Sequence, residues 1–253
     1  MQPRFAVTCT EKLLRSAAEY AREKDLTVHT HASENRTEVD LVRSRTGSGN
    51  IAYLETVGLL TTRTCLAHAV HLEEGDASRL AAAGTSVVHC PSSNLKLSSG
   101  ICRVTDLRSA GVRVALGSDG AACNDHLDPF REMRLAALLS RIATPSRPLI
   151  AFDALQMTTW QGARALRLPG EEGLMTGGRA DLVLLDPEAG WSMPHGWSTD
   201  PYAAIVYSMG RENVYATVVD GVVRYRAGDP SVMGLKPAPS EVREAVEKLK
   251  SRM

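Results

Sequence analysis

Several features are missing from this chain of 253 residues, and each absence removes a class of function. Charge of neither sign is in excess: 29 Lys and Arg stand against 29 Asp and Glu. No strong field therefore directs the chain toward nucleic acid or an anionic membrane surface. No apolar run reaches the roughly 18 residues that a membrane-spanning helix needs. The opening Met1-Gln2-Pro3-Arg4 lacks the charged-then-apolar layout of a signal peptide. Cys9, Cys65, Cys90, Cys102 and Cys123 form an odd set with no C-x-x-C pair. Free thiols in a reducing compartment are the reading, and neither a disulfide framework nor a zinc knuckle fits. Repeats and low-complexity segments are absent as well. A soluble, cytoplasmic protein is the expectation.

What is present is enough chain for a sizeable core, in one large or two smaller domains, and a steady alternation of strand and helix signals. Arg4–Thr8 reads as a short strand, and Thr10 as the cap of a helix over Glu11–Lys24. Leu13, Leu14, Ala17, Ala18 and Ala21 give that helix an apolar stripe. Strands are expected at Leu26–Thr30, Thr64–His68, Ser86–His89 and Val112–Leu116. Helices are expected at Asn35–Arg45, Asn50–Val57, Glu73–Ala82 and Ile101–Ala110. Pro91 leads into a polar loop, Ser92–Gly100, long enough to cover a pocket. Helices Pro129–Arg141 and Ala151–Leu166 follow.

This alternation means a parallel sheet with right-handed crossovers. About five βα units fit between Arg4 and Arg141, whereas a closed (β/α)8 barrel needs eight. The chain is either an open parallel sheet or the later part of a barrel. After Leu168 the texture changes. Pro169-Gly170 and Gly177-Gly178 flank the apolar run Ala180–Asp186, and Val214–Val219 and Val222–Tyr225 surround an Asp-Gly turn. The expected division is a barrel part over 1–168, a small β-sandwich-like domain over 169–236, and a charged C-terminal helix within 237–253.

Four expected strands end in residues that carry chemistry. His31 and Glu34 stand three apart at the first, which suits a metal ligand beside an acid/base group. His29 would share the face of His31. His68 ends Cys65-Leu66-Ala67-His68, His89 ends Val87-Val88-His89, and Asp119 follows Leu116-Gly117-Ser118. Parallel α/β folds place their chemistry at such carboxyl ends. Each residue alone also fits a plain role: a hydrogen-bonded histidine, a turn-capping Asp119, a solvated Lys96. Together they form the donor set of a divalent metal bound by imidazole and carboxylate. Cys90 is read as buried, and His71 as a loop residue of structural use.

On these residues the sequence resembles the amidohydrolase superfamily, in the aminohydrolase branch that acts on N-heterocycles. The motifs are His-Ala-Ser-Glu (31–34), Ala-His-x-x-His-Leu (67–72) and His-Cys-Pro-Ser-Ser-Asn-Leu-Lys-Leu (89–97). Gly-Ser-Asp-Gly-Ala-Ala-Cys-Asn (117–124), Asp-Pro-Phe-x-Glu-Met-Arg (128–134) and Gly-Gly-Arg-Ala-Asp-Leu (177–182) extend the likeness. Asn94-Leu95-Lys96-Leu97 is similar to deaminases of methylthioadenosine, S-adenosylhomocysteine and 5′-deoxyadenosine, a group with chlorohydrolase-labelled relatives.

The resemblance implies a (β/α)8 TIM-barrel type fold, here about its last five βα units, with a small C-terminal β-rich domain. It implies hydrolytic deamination of an N-heterocycle, an adenosine derivative first: hydroxide attacks a C–NH2 carbon and ammonia leaves. One divalent metal is implied, zinc first, with iron or manganese compatible. His31 and Asp119 are then metal ligands, and Asp119 also deprotonates the water. Glu34 moves the proton to the ring nitrogen and the leaving group, and His68 polarises the hydroxide. His89 and Asn94 would face or support the substrate, and Arg4 and Phe5 resemble a base-contacting segment of guanine deaminases. The implied partner is a purine-like small molecule bound by a homo-oligomer. The alternatives are deamination of guanine, another oxopurine or a pterin, and dechlorination of an s-triazine. A non-enzyme alternative is an inactive, truncated chain. The family's His-x-His at the end of the first barrel strand has no counterpart here, since His29-x-His31 sits on a later motif.

Overall fold

A computed structural model describes residues 1–168, 173–189, 200–229 and 239–251. α1 (Glu11–Glu23) starts where Thr10 Oγ1 accepts from the Leu13 amide at 3.2 Å, which serves a first-turn N–H that has no helical partner. β1 (Val28–Ala32), α2 (Arg36–Thr46), α3 (Asn50–Thr56), β2 (Thr64–His68), α4 (Asp76–Ala83) and β3 (Ser86–His89) follow. Next come α5 (Pro91–Lys96), α6 (Val104–Ser109), β4 (Val114–Leu116), the long α7 (Pro129–Ala143), α8 (Ala151–Thr158) and α9 (Trp160–Ala165). The four strands pair in parallel in the order β1-β2-β3-β4.

Register assigns each side chain a face, because alternate residues of a strand point to opposite sides. One row, Thr30–Leu66–Val87–Val114, is in register across the sheet. Val28, Ala32, Leu66, Val87 and Val114 pack with Leu14, Leu54, Leu80 and Leu107 in the main core under the helices. Burying a side chain of this kind stabilises by about 1.5–3 kcal/mol. The other row, His31–Ala67–Val88–Ala115, faces away from that core. There Cys65, Ala115 and Val88 meet Ala165 of α9.

Four expectations need correction. Arg4–Thr8 is not a strand: it makes one isolated bridge, Phe5 to His31. The chain then turns, the Thr8 amide donating to the Phe5 carbonyl. Ser92–Gly100 is not wholly a loop, because Pro91 sits at the first position of α5 with its φ already set for a helix. The helix expected from Ile101 starts only at Val104. Thr159, with ψ −106°, breaks Ala151–Leu166 into α8 and α9.

A second, antiparallel sheet holds β5 (Leu182–Leu185), β6 (Val214–Val219) and β7 (Val222–Arg226). The β6–β7 turn is Asp220-Gly221, with φ of 52° and 74°, the doubly positive pair a tight hairpin requires. Between β5 and β6 lies α10 (Pro201–Tyr207), a helix the sequence reading did not anticipate. Its Val206 packs with Met133, Ala137, Ala151 and Ala154 of α7 and α8. This part of the expected β-rich stretch thus joins the helical layer of the parallel sheet. α11 (Pro239–Lys250) closes the described chain. The expected boundaries at 169 and 236–237, and the Pro169-Gly170 break, lie outside the described residues.

Candidate active site

β1 delivers His31, and the turn before the sheet fixes its ring. The Arg4 carbonyl accepts from the His31 amide at 3.0 Å, from Nδ1 of the ring at 2.8 Å and from Thr30 Oγ1 at 3.0 Å. With Nδ1 as donor, Nε2 keeps its lone pair, the arrangement that suits an imidazole ligand. Arg4 thus contributes its main chain here, while its exposed guanidinium lies 5.6 Å from the centre of the Phe5 ring. That ring is tilted 6.2 Å from the His31 ring.

The next turn is strained and clamped. Ser33 has φ 54°, a conformation that costs a side-chain-bearing residue energy and persists only where the surroundings enforce it. Buried Glu38 enforces it: Oε1 accepts from the Ser33 amide at 3.0 Å and Oε2 from the Glu34 amide at 2.7 Å. Asn50 Nδ2 adds a third bond to Oε1 at 2.5 Å. Glu34 itself is half-buried.

At the end of β2, pleat parity alone would send His68 with its register partner Ala32 toward the helices. Its φ of 77° turns the ring the other way. The ring stacks on His31, centroids 5.3 Å apart. Nδ1 donates to Asn94 Oδ1 at 2.8 Å, so Asn94 holds the ring and its own position is buried in α5. The other nitrogen, Nε2, is buried, has no hydrogen-bond partner and lies 3.9 Å from Glu34 Oε2.

β4 leads to Asp119 through Gly117, where a Cβ would come within 2.7 Å of Val88 Cγ1, so only glycine passes. Asp119 has φ 60°. Its Oδ2 accepts from Ser93 Oγ at 2.5 Å and its Oδ1 from the Gly120 amide at 2.7 Å. Burial pushes its carboxyl up, but those two bonds and the nearby His68 and His31 outweigh it and hold the group below the ordinary carboxylate range.

Three further histidines, His29, His89 and His71, belong to the same sheet and the loop after β2. Burial, then the charges of His31 and His68, push His29 below its ordinary range. His89 is fully buried and does not line an open face; burial, then His68, pushes it down to about 3. His71 Nε2 meets the Ser99 carbonyl at 2.7 Å and joins two loops. Lys96 is not simply solvated: its Nζ donates to the Ala122 carbonyl and pairs with Asp125. Cys90 is buried, and burial raises its thiol.

Four residues that act on this site were not singled out from sequence. Glu38 stands three after the helix-capping Asn35, a spacing that is itself a helix-start signal. Ser93 follows His89 by four residues, in a polar stretch that reads as a loop. Asn124 and Glu132 lie inside two motifs already recognised, without a role attached.

Two of these side chains match the donor chemistry of a divalent metal. The free Nε2 of His31 and the Asp119 carboxylate are donors of the right chemistry. Among the described residues, no three or more His, Cys, Asp or Glu side chains converge on one metal position. His31 and Asp119 would offer two donors toward the four a zinc site usually takes.

A parallel sheet with imidazoles and carboxylates gathered at the carboxyl ends of its strands is the arrangement of an α/β protein that carries its chemistry there. The sequence model of the amidohydrolase family matches residues 1–224, and the chain belongs to that family. It is 38% identical over 226 residues to a 5-methylthioadenosine/S-adenosylhomocysteine deaminase of Haloarcula marismortui, covering 89% of this chain and 51% of that protein. It is 39% identical over 233 residues to a 5′-deoxyadenosine deaminase of Methanothermobacter thermautotrophicus, covering 91% of this chain and 53% of the relative. A crystal structure of an adenosine deaminase from Xanthomonas campestris with bound zinc superposes with a TM-score of 0.85 at 30% identity, covering 99% of this chain and 56% of that one. The chain spans about half the length of the curated relatives it matches.

Proposed function

We propose that this chain serves metal-dependent hydrolytic deamination of an N-heterocycle, an adenosine derivative before a free base. The observation that carries the reading is the gathering of His31, Glu34, His68 and Asp119 beyond the carboxyl ends of β1, β2 and β4, with unpartnered His68 Nε2 facing Glu34. The names of the relatives, deaminases of methylthioadenosine, S-adenosylhomocysteine and 5′-deoxyadenosine, support the substrate class.

His31 and Asp119 would hold the divalent ion, zinc first, with iron or manganese compatible with the same donors. When bound, such an ion lowers the pKa of water enough for attack at neutral pH. Asp119, ionised at neutral pH, would accept a proton from the attacking water at its carboxylate. Glu34 carries a proton to the ring nitrogen and to the departing amino group, its Oε2 standing 3.9 Å from His68 Nε2. His68 presents Nε2 to the reacting oxygen, held by Asn94. Phe5 beside His31 offers a flat apolar face to a heterocycle. Five free cysteines, three of them buried, suit a cytoplasmic setting. Exposed Leu138 and Ile142 on α7 suit a homo-oligomer, which light scattering would show.

Ammonia release from methylthioadenosine, S-adenosylhomocysteine, 5′-deoxyadenosine, guanine, a pterin and an s-triazine tests the reading. Preference for a free base or a triazine overturns the substrate class. Asp119→Asn should lower turnover by roughly 10²–10⁴ with the fold intact, and full activity in that variant defeats its role. A second reading, that this chain alone turns over nothing, is favoured by the want of a three-donor group among the described residues. Metal content after purification without chelator separates the two: near one ion per chain supports catalysis by this chain, near zero supports the second.

A further inference from the structure

Glu132, in α7, is a buried acid that takes no part in the chemistry above, yet every partner it has leads to Asp119. Its Oε1 accepts from Ser92 Oγ at 2.5 Å and from Asn124 Nδ2 at 2.7 Å, and its Oε2 accepts from the Ser92 amide at 3.1 Å. All three partners are donors, so both oxygens are engaged as acceptors. Ser92 precedes Ser93, whose hydroxyl binds Asp119 Oδ2. Asn124 uses the same Nδ2 to bind the Ser118 carbonyl at 2.9 Å, one residue before Asp119. The loop between is closed by the Cys123 and Asn124 amides, both donating to the Gly120 carbonyl at 3.0 Å.

We infer that Glu132 is a positioning residue for Asp119: it ties the start of α5 to the 118–124 loop, and each of these two pieces donates to one oxygen of the Asp119 carboxylate. The physical need is plain at Asp119, whose left-handed backbone requires enforcement from outside. A carboxylate is suited to the task because it accepts from three donors at once. A glutamine in its place sets an N–H2 group against at least one donor, the Ser92 amide or Asn124 Nδ2, and so weakens the link between the two pieces. Removing a partner that orients a metal-site residue costs about 10- to 100-fold in affinity or activity.

The inference rests on Asp119 having the catalytic role proposed above, and its test keeps the two apart. Hydrogen exchange by mass spectrometry is measured on the full chain and on Glu132→Gln, with Leu107→Ala as a core-destabilised control and Ser92→Ala as a milder variant should Glu132→Gln not fold. Exchange in residues 117–124 rises roughly tenfold or more in Glu132→Gln or Ser92→Ala while β3 and β4 stay protected. The Leu107→Ala control loosens the sheet without singling out this loop. Unchanged protection of 117–124, or an equal rise throughout, overturns the inference. Where the wild type releases ammonia from methylthioadenosine, kcat falls about 10- to 100-fold with KM within about twofold. An unchanged kcat overturns the inference as well. A wild type without turnover overturns the proposed function alone, and exchange then decides the role of Glu132.

Discussion

The ring of His31 stacks on the ring of His68 at 5.3 Å and 28°. The two come from adjacent strands, yet His31 is one residue before the point where His68 is in register, so a regular pleat would place them on opposite faces. The positive φ of His68 brings them together. The candidate site is therefore a feature of strand ends where regular backbone stops, and its tests concern what holds those ends.

Asn94→Ala removes the acceptor of His68 Nδ1 and lets the ring turn. Turnover should fall by about 10- to 100-fold, and the buried Nδ1 left unmatched should lower stability by about 1–3 kcal/mol. Steady-state kinetics beside thermal unfolding checks this, and normal turnover would remove Asn94 from the site.

Glu38→Gln places an amide N–H2 against the Ser33 and Glu34 amides and Asn50 Nδ2. With buried donors left unmatched, stability should drop by about 1–3 kcal/mol. Urea unfolding measures it, and a change under about 0.5 kcal/mol, the range of neutral surface substitutions, counts against the clamp.

His89 makes stability depend on acid. In the unfolded chain its imidazole takes a proton near pH 6.5, whereas burial, then His68, delays this to about 3 in the fold. Between those values the unfolded state binds more protons, so stability falls as pH falls, by up to about 1.4 kcal/mol per pH unit. His89→Gln should flatten the slope between pH 6 and 4 by that amount. Identical slopes in both proteins exclude the buried neutral imidazole.

Thiol labelling separates the cysteines. Burial pushes Cys102 up to about 12 and also raises Cys65 and Cys90, which keeps all three as inaccessible thiols at pH 8. Half-buried Cys9 and Cys123 should react first with iodoacetamide. Mass spectrometry of peptides reads the order, and early modification of Cys102 would contradict the packing of this core.

Much of this molecule is written in short spacings. The alternation of apolar runs and capped helices, and strands that end in His31, His68, His89 and Asp119, followed from neighbours a few residues apart. So did the hairpin at Asp220-Gly221, whose turn chemistry is local. Even α5 had a local sign in Pro91, outweighed by the polar residues after it.

Sequence by itself determined which side chains arrive at the strand ends, because periods of two and 3.6 and a few capping residues set the elements. Tertiary structure decided how those side chains are held. The Arg4 carbonyl reaches His31 across 27 residues, Asn94 reaches His68 across 26, and Glu132 reaches Ser92 across 40. Such contacts exist only once the strands have paired, and they hold the segments where His68 and Asp119 take positive φ, whereas Ser33 is clamped by Glu38 five residues on. No residue type announces a strained backbone or a buried acceptor in advance, since packing from distant segments supplies both.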